Sequence, residues 1–204
     1  MNERTYLLCF FVAVLALAAA VVSINYLVDP YGITGAKRVA GFNEFKVDIN
    51  NHSRLLKKYQ HASGDYDTLI VGNSRVEMGL DPSHHCFKSL GWSVYNMGVP
   101  GAGVRKQLRY ALNAIYQQPI ERVFLSVDFS DFIRRPENLT KPATSLHEVD
   151  DGEFKFLPAG QESDTYTGQM IKDYSKSLFS LDALTSSFLT LAGQSKNSPD
   201  RDIK

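Results

Sequence analysis

An α/β fold with a parallel sheet, preceded by one membrane-spanning helix, is what this sequence predicts, on three observations. Residues 6–28 are almost entirely apolar and carry no charge. Short apolar runs at 68–71, 92–96 and 122–129 alternate with a helical pattern, and the first two lead into glycine-containing turns. A chain of 204 residues that is 44% hydrophobic and 22% charged suits one globular domain, not a disordered or fibrous chain.

The apolar run is long enough to cross a bilayer core as a helix. A cleaved signal peptide is the rival reading, since Ala18-Ala19-Ala20 offers small residues of the kind a peptidase accepts. The run continues past those alanines to Tyr26-Leu27-Val28, which favours an anchor over residues 6–28 with residues 1–5 in the cytoplasm. The soluble part is then expected outside the cytoplasm, because an N-terminal signal-anchor followed by one domain usually translocates that domain. Lysine plus arginine equal aspartate plus glutamate at 22 each, so no net field draws the chain to nucleic acid. Cys9 falls in the apolar run and Cys86 in the soluble part, so no disulfide framework is expected.

Asp29-Pro30-Tyr31-Gly32 is a turn signature that ends the anchor, because proline cannot extend a helix. Residues 29–60 read as a connector, with a short basic helix at 52–60, and residues 61–204 as the α/β domain. Thr68 to Val71 should form a buried strand that turns sharply at Gly72-Asn73-Ser74 into a helix over 75–80. That turn lifts the Ser74 hydroxyl clear of the sheet, with free helix N–H groups beside it; the same letters also suit a plain helix N-cap. Trp92 to Asn96 is the second strand, Gly98 to Gly103 a glycine-rich loop, and Val104, Leu108, Ala111, Leu112 and Ile115 recur at helical spacing. Arg122 to Phe129 is the third strand, apolar enough to be buried on both faces, with Ser130, Asp131 and Phe132 at its end. Parallel strands with short crossovers place all three loops on one edge, where such sheets bind ligands.

Beyond Pro136 the pattern loosens into an excursion over 137–165, with one short strand at 153–157. A last helix over 178–191 sets Leu181, Leu184, Phe188 and Leu191 on one face. The tail from Gln194 is polar.

Gly72-Asn73-Ser74-Arg75 and Tyr95-Asn96-Met97-Gly98-Val99-Pro100-Gly101-Ala102-Gly103 together resemble the first two blocks of the SGNH or GDSL-type hydrolase superfamily. They are most similar to its membrane-anchored bacterial branch, which carries "GxSR" and "N-x-x-x-PGA". The resemblance covers about residues 25–135. It implies a three-layer αβα, flavodoxin-like parallel sheet of about five strands, of which this chain holds three. The expected chain is thus the N-terminal part of a longer domain, shortened or completed by a second polypeptide, with an exposed sheet edge.

The resemblance also assigns roles. Ser74 is the nucleophile and its N–H one oxyanion donor, Gly101 supplies a second N–H, and Asn96 opens the second block. In the third block Ser130 stands where the family has an asparagine, followed by Asp131; the shorter side chain puts that donor in doubt, at about two to three orders of magnitude in rate. The family's Asp-x-x-His is missing after Ser130, where His147 is the only histidine. A literal Asp81-Pro82-Ser83-His84 lies roughly 10 Å along the chain from Ser74, at about 1.5 Å per helical residue. Arg75 reads either as a solvated helix residue or as a holder of an anionic or sugar ligand.

The expected function is ester hydrolysis or acyl transfer on an acylated carbohydrate in the cell envelope. The alternatives are a catalytically inactive binding or assembly protein and a non-functional fragment. Neither cofactor nor metal is called for: His84-His85-Cys86 reads as a surface turn, because adjacent residues rarely share one ion. His52 and His61 read as exposed. Asn138 is a glycosylation sequon by letter only, and Phe124, Phe129 and Phe132 read as core and edge packing.

Overall fold

The computed structural model describes residues 2–129 and 152–194. In chain order the elements are α1 (Glu3–Val28), α2 (Ser53–Tyr59), β1 (Thr68–Gly72), α3 (Ser74–Gly79), α4 (His85–Ser89), β2 (Val94–Gly98), α5 (Val104–Gln117), β3 (Arg122–Leu125), α6 (Tyr166–Phe179) and α7 (Leu181–Ala192). They sort into two compact units: residues 2–52 with 171–194, and residues 53–129 with 152–170. The sequence reading gave everything after residue 61 to one domain. The structure instead groups the last helix with the N-terminal one.

The larger unit is mixed α/β. Its three parallel strands run in the order β2-β1-β3. β1 is central, and Thr68 to Gly72 are buried throughout. Opposite Gly72 lies Gly98, and beyond the ladder Val99 N–H donates to the Gly72 carbonyl and Ser126 N–H to that of Val71. All three strands therefore end on one edge, as the crossover argument requires. On one face Leu69, Val71, Tyr95 and Met97 pack with Tyr110, Ala111 and Ala114 of α5 and with Phe154. On the other, Ile70 and Val94 pack with Val76, Phe87 and Trp92.

The third strand departs from expectation. Val123, Phe124 and Leu125 are 41–46% exposed, not buried on both faces, whereas β2, the other edge strand among the described residues, is buried throughout. The strand foreseen at 153–157 is reduced to one antiparallel bridge, Phe156 to Glu162.

In the smaller unit α1 is one continuous helix, long and apolar enough to span a membrane, and its most apolar window is fully exposed. It stops where the turn signature lies: Asp29 adopts φ 49°, and its carboxylate accepts from Ile33 and Thr34 N–H. Lys46, buried, donates to the Val28 carbonyl at 3.0 Å and lies 3.7 Å from the Asp29 carboxylate, so the free carbonyl end of the helix is met by a cation. The helix expected over 178–191 is α7, which begins three residues later at Leu181 and is capped by the Ser180 hydroxyl; α6, before it, was not foreseen.

Candidate functional site

The rim of the sheet is built around α3. Asn73, in extended conformation, caps the helix: its side-chain oxygen accepts from Arg75 N–H at 2.9 Å. Ser74 is thus the first helical residue and exposed, and its hydroxyl bonds to no other described residue. The helix is only six residues long, so the dipole expected to favour an anion beside Ser74 is small.

Two glycines let α3 lie across the strand ends. A Cβ on Gly72 would stand 2.2 Å from the Val76 side chain; one on Gly98 would stand 2.4 Å from the Glu77 backbone nitrogen. Gly72 was expected to serve the sharp turn. Its φ is not positive, and close approach is the actual reason. Gly101 does need its conformation: with φ 64° it forms a turn closed by Ala102 N–H onto the Val99 carbonyl, Pro100 leading in, as type II turns favour. Arg54 of α2 clamps this loop by donating to the Pro100 carbonyl at 3.1 Å.

Asn96 faces away from the exposed rim. Its amide donates to the carbonyls of Val76 at 3.0 Å and Leu80 at 2.7 Å, while its oxygen accepts from Gly98 N–H at 2.9 Å. One buried side chain therefore fastens the helix carrying Ser74 to the neighbouring strand. Arg75, 77% exposed at its side chain, pairs with Asp128, and the Asn73 amide donates to the other oxygen of the same carboxylate. Asp128 thus bridges the two residues flanking Ser74. Its role had no local signal, since 55 residues of sequence separate it from Asn73. Ser130 and Asp131, with Phe132, Asn138 and His147, lie outside the described residues.

Beneath the rim sits a pair the sequence did not announce. Lys57 is fully buried and its ammonium donates to the Asn96 carbonyl; burial lowers its pKa to about 8, opposed by the Glu77 carboxylate. Burial raises the Glu77 pKa, opposed by Lys57. His61, expected at the surface, is 1% exposed: it stacks near Tyr95, its Nδ1 meets the Lys57 carbonyl at 3.1 Å, and burial lowers its pKa.

The Asp81–His84 pair is committed locally. Asp81 accepts from Ser83 N–H, and His84 accepts from Cys86 N–H at the start of α4. His84, His85 and Cys86 do converge, with their donor atoms within 4.8 Å of one another, all three being exposed. What the rim presents to solvent is an uncommitted hydroxyl, a glycine turn and one arginine paired to a carboxylate. Neither a family model, nor a curated protein, nor a solved structure matches this chain.

Proposed function

We propose that this chain is a membrane-anchored cell-envelope protein of SGNH-like, flavodoxin-type αβα architecture, with its soluble part in the periplasm. Its strand-edge rim acts on an acylated carbohydrate, as an ester hydrolase or acyl transferase with Ser74 as nucleophile. The observation carrying this reading is the Ser74 hydroxyl, exposed and uncommitted at the end of the central strand. The chain crosses from β1 to β2 on one side and returns to β3 on the other, and the point of reversal is where open α/β sheets place ligands. The N–H groups of Ser74 and Gly101 would hold the oxyanion. The base that takes the serine proton has to come from outside the described residues, because no described histidine bonds to Ser74. A second polypeptide completing the sheet would pair along the exposed β3 edge.

The test is labelling of the full chain in detergent by a fluorophosphonate, with p-nitrophenyl acetate turnover in parallel. Wild type should label and turn over ester, and Ser74→Ala should lose the label and about two to three orders of magnitude in rate. Equal rates and no label in either protein remove the enzyme.

A second reading, an inactive relative that binds a glycan or an assembly partner on the same rim, is favoured by one contact. Asp128 occupies both Asn73 and Arg75, tying down the groups beside the serine instead of leaving them to activate it.

A further inference from the structure

The helix α7 is built inside out for a water-soluble protein. Its buried residues are Ala183, Ser186, Ser187 and Thr190, all small and three of them hydroxylated. Three of its five large apolar residues point outward, Leu181 at 73% exposed, Phe188 at 54% and Leu189 at 51%, with Phe179 just before it at 63%; Leu184 and Leu191 are half-buried. In water this arrangement wastes the burial of four large side chains, each worth about 1.5–3 kcal/mol. Small and hydroxylated residues between helices with apolar residues outside is the pattern of helices packed in lipid.

The depth of this face follows from α1. A hydrocarbon core of about 30 Å takes about 20 helical residues. Counted from Tyr6, where the uncharged run begins, that length ends at Asn25. Asn25 is fully buried and is the residue that meets the other two helices. Its amide donates to the Leu178 carbonyl at 2.9 Å, and its oxygen accepts from the Ser187 hydroxyl at 2.9 Å. Leu178 and Ser180 flank Phe179, and Leu181 is next in the chain, so this corner sits at the level where the apolar span runs out. Tyr26 and Leu27, 53% and 57% exposed, stand at the same level on α1. Asp182 and Thr185 interrupt the outward face of α7, and its 12 residues are too few to cross a bilayer. Both features suit a helix that lies at the headgroup boundary.

We propose that the α6–α7 corner and the outward face of α7, through Phe179, Leu181, Phe188 and Leu189, rest in the interfacial layer of the bilayer that α1 crosses. The proposal depends on the anchor reading of α1 and extends it: the chain holds its membrane at two places, a span and a lateral foot. Two contacts fix the tilt of the smaller unit against the membrane, which a single helix does not.

The test uses the full chain in phosphatidylcholine vesicles. Trp92, the only tryptophan, is replaced by Phe, and single tryptophans are introduced as Leu15→Trp, Leu181→Trp or Phe188→Trp. Quenching is read with lipids brominated at shallow or deep acyl carbons. The expected result is about twofold or stronger quenching of the Leu181→Trp and Phe188→Trp proteins by the shallow bromines, and of the Leu15→Trp protein by the deep ones. If Leu15→Trp is quenched and both α7 probes are not, the foot is refuted and the anchor stands. A water-like emission from those probes then means an open face, and a blue-shifted one means a second copy or another protein covers it. If Leu15→Trp is itself unquenched, the anchor fails and the foot with it.

Discussion

The helices α5 and α7 are of similar length and both carry buried polar residues, yet they solve opposite problems. In α5 the apolar residues Tyr110, Ala111 and Ala114 enter the core cluster on the sheet. Its buried polar residues hold loops: Asn113 accepts from Lys155 and Phe156 N–H, and Arg109 donates to the Phe156 carbonyl. In α7 small and hydroxylated residues are the packing surface, and Leu181, Phe188 and Leu189 face out. The comparison teaches that periodicity marks a face without saying which way it points. That depends on the medium the face meets.

The largest expected effect tests the α/β side of this contrast. Gly98→Ala forces a methyl group to within 2.4 Å of the Glu77 backbone nitrogen, which cannot move without lifting α3. A loss of about 3 kcal/mol or more is expected, read by urea unfolding in detergent through Trp92 fluorescence. An unchanged midpoint would show that α3 does not pack across β2 as described.

A comparable effect is expected from the buried ammonium. Because the folded chain holds Lys57 near pKa 8 while the unfolded chain has the ordinary value of 10.5, the unfolded state binds more protons between those limits, and stability rises with pH there. Wild type should gain about 2 kcal/mol between about pH 8 and pH 10, above which the buried tyrosines, whose pKa values burial raises, oppose the gain. Lys57→Met should flatten the rise. A rise that persists in Lys57→Met would assign it elsewhere.

The smallest effect belongs to the other unit. Asn25→Ala leaves the Leu178 carbonyl and Ser187 hydroxyl without their partner and should cost about 1–3 kcal/mol, whereas Leu181→Ser, on the outward face, should change stability in detergent by less than about 0.5 kcal/mol. Hydrogen exchange of the α7 amides separates the two. Equal loss of protection would mean that the outward face is packed against protein.

The elements of the fold were legible where the signal was local. Val71-Gly72-Asn73-Ser74 marked a strand and the turn after it, and α5 followed from its apolar spacing to within two residues. The exposure of β3 was not legible, because an apolar run carries no mark of whether another element covers it. Within the candidate site, Ser74 was readable from the strand-to-helix turn it stands in, and Gly101 only as part of a glycine-rich loop. Asp128, Arg54 and the Lys57–Glu77 pair were not, because each acts on a residue far away in the chain, and a lone charged letter carries no record of its partner.

By itself the sequence determined that residues 6–28 form an uncharged apolar helix, that a buried strand turns at Gly72-Asn73-Ser74 into a helix, and that Gly98 to Gly103 form a glycine-rich loop. These are consequences of hydrophobic content and backbone sterics, which act over a few residues. Only the tertiary structure decided that Asn96 fastens α3 rather than facing the rim, that His61 is buried, and that α7 turns Leu181, Phe188 and Leu189 outward. Those outcomes depend on which distant groups are left to satisfy a buried carbonyl or fill a space, and chain folding alone brings such groups together.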